Sequence, residues 1–343
     1  MKISFCIATY KRPNRLKLVL DAISNQESLE NLEVVVSDND PDGSAQNICQ
    51  HKSYAALAIN YVTNETNLGM VGNFNRSLSR ATGDYIVFNT DDDLPMPSLT
   101  RTLRFLHGRF AGYGCYFGAA GTYVESVAEA SLLRKKVGLN SQLAARPENS
   151  VAEYPAEHFL HEFFDGTILP YFLWSTGMVR QDIARSIGGM PDYGSPYFTD
   201  FCYLALAGER KGMVVQNTLL GYQTIHPGNF GKGANDSLAN GVLKAYRYLG
   251  DHLPPNVQTI DLQKKIDRFF GWWSISQLVW MKKVAKNDPP LRATIAAQVE
   301  QFRRLDFFKP LYPRYLARAY FPWIGRTLQA IRKLKREDLS KRR

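Results

Sequence analysis

The chain has 343 residues, 45% of them hydrophobic, with a formal net charge of +10. That composition supports a sizeable buried core and excludes a disordered or low-complexity protein. The four cysteines, Cys6, Cys49, Cys115 and Cys202, lie far apart with no Cys-x-x-Cys pair, which excludes a disulfide framework or a zinc ribbon and fits a reducing compartment.

The first half alternates strand and helix patterns. Residues 3 to 10, ISFCIATY, read as a buried strand, followed by a helix with Pro13 in its first turn and Leu16, Val19, Leu20 and Ile23 on one face. Residues 32 to 38, LEVVVSD, form a second strand and residues 59 to 63, INYVT, a third. A helix over 70 to 81 places Val71, Phe74 and Leu78 together, and residues 84 to 90, DYIVFNT, make a fourth strand. Ser98 is placed to cap a helix carrying Leu99, Leu103 and Leu106. This order predicts an α/β fold with a mostly parallel sheet and helices on both faces.

The middle is less periodic. Residues 113 to 124 read as a Gly- and Tyr-rich strand, 131 to 150 as a surface loop, 168 to 180 as an apolar segment entering the core, and 226 to 235 as a flexible Gly-rich loop. From about residue 240 the patterns are helical and broken by prolines. The expected division is a domain over 1–240 and a helical, basic, aromatic-rich extension over 241–343.

Ligands bind beyond the carboxyl ends of strands in open parallel sheets, and several such ends here are polar. Thr9 and Tyr10, then Lys11 and Arg12, end the first strand; Ser37, Asp38 and Asn39 end the second; Thr90, Asp91, Asp92 and Asp93 end the fourth. Asn67 and Asn73 stand before and within the 70 to 81 helix. Three adjacent carboxylates repel one another, and a hard divalent cation, Mg²⁺ or Mn²⁺, would offset that repulsion. An extended chain puts Asp91 and Asp93 on one face and Asp92 on the other; a turn at Thr90 breaks that alternation. A solvated acidic turn or a helix cap is the bland alternative.

The stretches ISFCIATYKRPNRL, VVVSDNDPDGS, NETNLGMVGNFNRSLSRATGDYIVFNTDDDLPMP and GGMPDYGSPYFTDFCYLAL resemble, in order and spacing, a family 2 glycosyltransferase with the GT-A fold. They span most of residues 3 to 207. The resemblance implies a Rossmann-like sheet and inverting transfer of a sugar from a nucleotide-diphosphate sugar to a hydroxyl of a glycan or lipid-linked glycan, as in bacterial O-antigen or capsule synthesis. It assigns Thr9, Tyr10, Arg12 and Asp38 to the nucleoside, and Asn67, Asn73, Asp91 and Asp92 join them as donor-binding candidates. The family's Asp-x-Asp motif falls on the triplet, with Thr90 where a first Asp is expected. Asp92 and Asp93 are the metal candidates, with His226 assigned by resemblance to the diphosphate or the metal. The family's catalytic base, often in a Glu-Asp pair, falls on Thr199-Asp200. Asp200 is therefore the expected base, a helix N-cap being its structural alternative and Asp192 its nearest competitor.

Residues 291 to 343 carry 14 Lys or Arg against 4 Asp or Glu, interleaved with aromatics such as Phe307, Tyr320 and Trp323. Two readings stay open: a segment lying on an anionic membrane surface, or an appendage packed on the main domain with a basic outer face. No secretory signal and no stretch of about 20 apolar residues is visible, so the expected location is cytoplasmic, with peripheral contact at the inner membrane face following from the first reading. Nucleic-acid binding is not expected, since no recognised module surrounds the basic segment. The competing functions are a sugar-nucleotide pyrophosphorylase, disfavoured because residues 8 to 16 lack glycine, and a non-catalytic sugar-binding protein of the same fold.

Overall fold

A computed structural model of the protein describes residues 1–168, 172–229 and 238–321. The first half runs β1 (Ile3–Thr9), α1 (Pro13–Ser24), β2 (Leu32–Asp38), α2 (Gln46–Cys49), β3 (Ala58–Thr63), α3 (Gly69–Arg80), β4 (Tyr85–Thr90), β5 (Leu94–Pro95), α4 (Leu99–Arg109) and β6 (Cys115–Val124). There follow α5 (Val127–Leu133), β7 (Gly138–Asn140), β8 (Val151–Tyr154), α6 (Ala156–Asp165), β9 (Gly177–Arg180), α7 (Gln181–Ser186), α8 (Thr199–Lys211) and β10 (Met213–Ile225). Four helices close the described chain: α9 (Leu238–His252), α10 (Ile260–Val284), α11 (Pro289–Arg303) and α12 (Tyr312–Tyr320).

The main sheet has the order β3-β2-β1-β4-β9-β6-β10-β5. Strands β3, β2, β1 and β4 are mutually parallel. Strand β9 runs antiparallel to both β4 and β6, so β6 and its parallel partner β10 point the same way as β1 and β4. The carboxyl ends of β1, β2, β4, β6 and β10 therefore share one edge.

Alternation along the strands divides the core in two. Ile3, Phe5, Ile7, Val34, Val36 and Val87 pack under α1 and α4 on one face. Cys6, Val35, Ile86 and Phe88 pack under α3 and α8 on the other. Both faces are covered, which is why these strands read as continuous apolar runs. All four cysteines are buried thiols.

The expected elements of the first half appear with ends shifted by a residue or so. Two local expectations fail. Ser98 occupies the N-cap of α4 but makes no side-chain capping bond, because its backbone is already helical there (φ −81°, ψ −4°). The stretch 131 to 150 is not all loop: it contains β7, which pairs with the end of β6. The 226 to 235 loop is described only to Asn229, and Trp323 also lies outside the described residues.

Helices α9 to α11 do not stand apart. Leu249, Phe270, Ile275 and Phe302 belong to the same buried cluster as Phe159, Tyr203 and Leu206 of the sheet-covering helices. No helix among the described residues is long and apolar enough to cross a membrane.

Candidate active site

Five of the expected groups converge at the shared strand edge. Thr9, the last residue of β1, donates its hydroxyl to Asp91 Oδ2 at 2.7 Å. Arg12, just before α1, reaches across the β1–β4 junction and grips two aspartates at once. Its Nη2 lies 2.6 Å from Asp91 Oδ1 and its Nη1 donates to Asp92 Oδ2 at 2.9 Å. His226, just past β10, lies with Nε2 3.1 Å from the same Asp92 oxygen. Strand β1 is aligned with β4 so that Ala8 sits opposite Thr90; this register sets Thr9 and Arg12 against the triplet.

The guanidinium is the cation that offsets the carboxylate repulsion within the protein itself. Asp91 is fully buried, and loss of hydration lifts its carboxyl to about 7, with Arg12 pulling the other way and Asp92 adding to the rise.

Asp93 does not join this group. The chain turns after Thr90, whose Oγ1 accepts the Asp93 N–H at 3.1 Å, and the strand alternation is lost. The Asp93 carboxyl points inward, accepting the Thr224 N–H at 3.3 Å and the Ser175 hydroxyl at 3.4 Å. Burial first, and the Asp92 charge second, raise its pKa well above the ordinary carboxylate value. Its position is that of a tether between the β4–β5 turn and β10, which departs from the expected metal ligand.

His226 is oriented by its own loop. The Gly228 N–H donates to His226 Nδ1 at 3.1 Å, so Nδ1 carries a lone pair and the neutral ring's proton sits on Nε2. Nε2–H is then a donor aimed at Asp92. A cation on Nε2 would require the proton on Nδ1, where it would collide with the Gly228 donor.

A divalent cation still fits the mouth of the site in the sparing way of phosphate-dependent sites, which take one or two carboxylates and fill the remaining positions with phosphate and water. Asp92, 9% exposed, is the carboxylate of the triplet that opens towards solvent beside Arg12 and His226. Among the described residues no group of three or more His, Cys, Asp or Glu is arranged around one metal position.

The remaining donor candidates divide into surface and scaffold. Tyr10 is 41% exposed at the rim. Asn67 is also exposed and accepts the Gly69 N–H at the start of α3. Asp38 is fully buried and accepts from the backbone of Asp40 and Ala45 and from the Tyr61 hydroxyl, each at 2.9 Å. Asn73 is buried too, donating to the Thr9 carbonyl at 3.0 Å. In this structure both side chains brace the loops at the carboxyl ends of β1 and β2.

Asn64 was not singled out by the sequence. It lies just past β3, where its Nδ2 donates to Asn39 and Asn73 and its backbone N–H to the Asp38 carbonyl. The strand-end argument applied to β1, β2 and β4 would have found it at β3.

Asp200 lies in the first turn of α8. Phe198, not Asp200, is the N-cap residue, while Asp200 Oδ1 accepts the Phe201 N–H at 2.9 Å, so the side chain also satisfies a first-turn donor of the helix. Gly212 (φ +68°) joins α8 to β10, and a Cβ there would lie 2.5 Å from the Tyr154 carbonyl. This turn sends the helix back along the sheet, bringing its amino end towards the carboxyl edge of β10. Asp200 keeps some solvent access but is surrounded by protein, and burial lifts its carboxyl to about 6.

Phe198 holds a left-handed backbone (φ 66°), which costs a non-glycine residue about 1–2 kcal/mol. Its ring stacks on Phe270 of α10 at 4.4 Å and meets Trp273 at 4.3 Å, so the C-terminal helices fix the turn that aims α8. Thr199 is buried and donates to the Ser195 carbonyl; Asp192 is exposed and accepts from the Gly194 N–H of its own turn.

Residues 4–187 match the sequence profile of glycosyl transferase family 2. The chain belongs to that family. It is 38% identical over 118 residues to the abequosyltransferase RfbV of Salmonella typhimurium, a match covering 34% of this chain and 35% of that protein. It is 25% identical over 172 residues to a GalNAc(5)-diNAcBac-PP-undecaprenol β-1,3-glucosyltransferase of Campylobacter jejuni, covering 50% and 51%. The chain thus spans between a third and about half of the length of these curated relatives.

Among solved structures, residues 1–349 of S. aureus TarS superpose with a TM-score of 0.59 at 13% identity, covering 93% of this chain and 88% of that one. The mannosyltransferase PcManGT of Pyrobaculum calidifontis, solved with GDP-Man and Mn²⁺, gives 0.54 at 15% identity, covering 93% and 85%. These likenesses establish the GT-A fold, with the helical C-terminal region as part of the matched chain.

Proposed function

We propose that the chain is an inverting glycosyltransferase that moves a sugar from a nucleotide-diphosphate donor to a hydroxyl of a glycan or lipid-linked glycan in bacterial surface-polysaccharide synthesis. The carrying observation is the convergence of Thr9, Arg12, Asp91, Asp92 and His226 at the carboxyl edge of the sheet, in a chain of this family. TarS structures with UDP-GlcNAc and with UDP, and PcManGT with GDP-Man, support a nucleotide-sugar donor.

Each residue has a stated part. The exposed Tyr10 face is available to the base of the nucleoside, and Asp38, Asn64 and Asn73 hold the loops that receive it. Arg12 bridges Asp91 and Asp92 and aligns their carboxyl groups. His226 Nε2–H is a hydrogen-bond donor suited to a diphosphate oxygen. Asp92 would hold Mn²⁺ or Mg²⁺, which when bound offsets the charge on the departing nucleoside diphosphate.

Asp200, poised at about 6, takes the proton from the acceptor hydroxyl. The hydroxyl oxygen bonds to the anomeric carbon as the bond to the diphosphate breaks on the opposite face, so the anomeric configuration inverts.

The test is turnover of UDP-, GDP- and dTDP-sugars with Mn²⁺ or Mg²⁺, read as release of nucleoside diphosphate with and without glycan acceptors. Release with one donor, accelerated by an acceptor, is the expected result. No release from any donor with either cation would refute the reading.

A further inference from the structure

An open cleft of ≈ 300 Å³ lies between the end of α6 and one face of α10, lined by Phe164, Asp165, Arg268, Phe269, Trp272 and Trp273. Its size is at the lower end of the range that takes small ligands. Phe269, Trp272 and Trp273 are all only half-buried, so three large rings keep apolar surface in contact with solvent. Aromatic side chains exposed together around a concavity mark a binding surface rather than a packing remainder.

Two arginines fix the Trp272 ring. The guanidinium of Arg318, on α12, lies 4.4 Å from the centre of a Trp272 ring, and that of Arg314 lies 5.5 Å away. Such cation–π contacts hold the indole in one orientation.

The polar groups at the rim are paired. Asp165 is paired with Arg268 and with Lys265, whose Nζ is 2.7 Å away and also 3.6 Å from Asp261. Asp165 and Arg268 line the cleft itself, so beside the aromatic rings it offers a carboxylate acceptor and a forked donor already paired with each other. It suits a neutral ligand with an apolar face and a rim of hydroxyls, which is the chemistry of a pyranose ring.

Its position supplies the reason for such a ligand. The aromatic wall of the cleft is shared with the turn that carries Asp200. Trp273 packs on Phe198, two residues before Asp200, and Phe269 lies 5.4 Å from the ring of Phe201, the residue after it.

We infer that this cleft is a glycan subsite that holds a neutral sugar unit of the acceptor, away from the reacting hydroxyl, while another part of the same chain is presented to Asp200. The inference rests on the transferase reading for its purpose, but its binding is measured independently of turnover.

The test uses the full chain on a glycan array of neutral di- to tetrasaccharides, followed by titration calorimetry with the best binder. Four proteins are compared: wild type, Trp272→Ala, Trp272→Phe and Arg268→Ala. The expected result is glycan binding by wild type, weakened about tenfold by Trp272→Ala and by Arg268→Ala and largely kept by Trp272→Phe, with nucleotide-sugar binding unchanged in all four. Arg268 is on the exposed side, so its variant carries the test if Trp272→Ala fails to fold.

Absence of glycan binding by wild type would overturn the inference, as would undiminished binding in both alanine variants. Retention of donor binding in that case leaves the transferase reading standing and removes the subsite alone. Loss of binding to anionic vesicles in the same variants, with no glycan bound, would also overturn it.

Discussion

Substituting Asp93 by asparagine separates the roles of the three adjacent aspartates. The Asp93 carboxyl faces the Thr224 N–H, the Ser175 hydroxyl and Thr90, and among the described residues no cation pairs with it. Burial and the neighbouring Asp92 raise its pKa in the folded state above the unfolded value. A group with a raised folded pKa contributes stability that is fully present below about pH 4 and is lost as pH climbs through the folded value. A rise from 3.8 to about 8 is about four pKa units, worth about 6 kcal/mol in full. Asparagine keeps the acceptor for Thr224 and can donate to Ser175, yet has no charge to bury.

The variant should therefore lie close to wild type near pH 4.5 and exceed it by about 5 kcal/mol at pH 8, roughly 7 °C in Tm for a chain of this size. The assay is thermal unfolding from pH 4.5 to 8.5 with EDTA in every sample, paired with turnover at pH 7.5. Sugar transfer should survive. A gap in Tm that does not change with pH, or a loss of activity as deep as that of Asp92→Asn, would refute the assignment of Asp93 as an internal tether.

Asp200→Asn should lower kcat by about 10³-fold while leaving donor affinity unchanged, the loss expected of a missing general base. In wild type, kcat/KM should rise with pH through about 6 and then level, since the base works only when deprotonated; a profile flat from pH 5 to 8 would count against it. Asn64→Ala should cost about 2–3 kcal/mol in denaturant unfolding, because it leaves the buried Asn39 and Asn73 amide oxygens without their shared donor. Phe198→Ala should remove about 3 kcal/mol of stability and lower kcat more than it raises the donor KM, since it releases the turn that aims α8.

Periodicity made much of this fold readable. Val34, Val35 and Val36 read as a strand because both faces of the sheet are covered, and Val71, Phe74 and Leu78 read as a helix face because they meet the sheet at helical spacing. The polar strand ends located the edge where the site forms. What the sequence left open depends on contacts between distant residues. The inward turn of Asp93 is decided by Thr224, which is 131 positions away, and the clamp on Asp91 and Asp92 by Arg12, about 80 away. The tautomer of His226 is set by a backbone N–H two residues on, which no side-chain motif records. Asn73 carried the right chemistry for a ligand, and its amide is also bonded to its neighbours Thr9 and Asn64, a tie the sequence does not record. The helical extension shows the same limit. Its aromatics read equally well as a membrane face or as packing, and the structure puts Phe270 and Phe302 into the common core.

The account turns on Asp92 as the carboxylate through which a divalent cation and a donor diphosphate are held together. Its most direct test is titration calorimetry of the active nucleotide sugar into wild type and Asp92→Asn, each with Mn²⁺ and with EDTA. The account predicts donor binding in wild type that tightens at least tenfold with Mn²⁺, and no Mn²⁺ effect in Asp92→Asn. Equal tightening by Mn²⁺ in both proteins would contradict it.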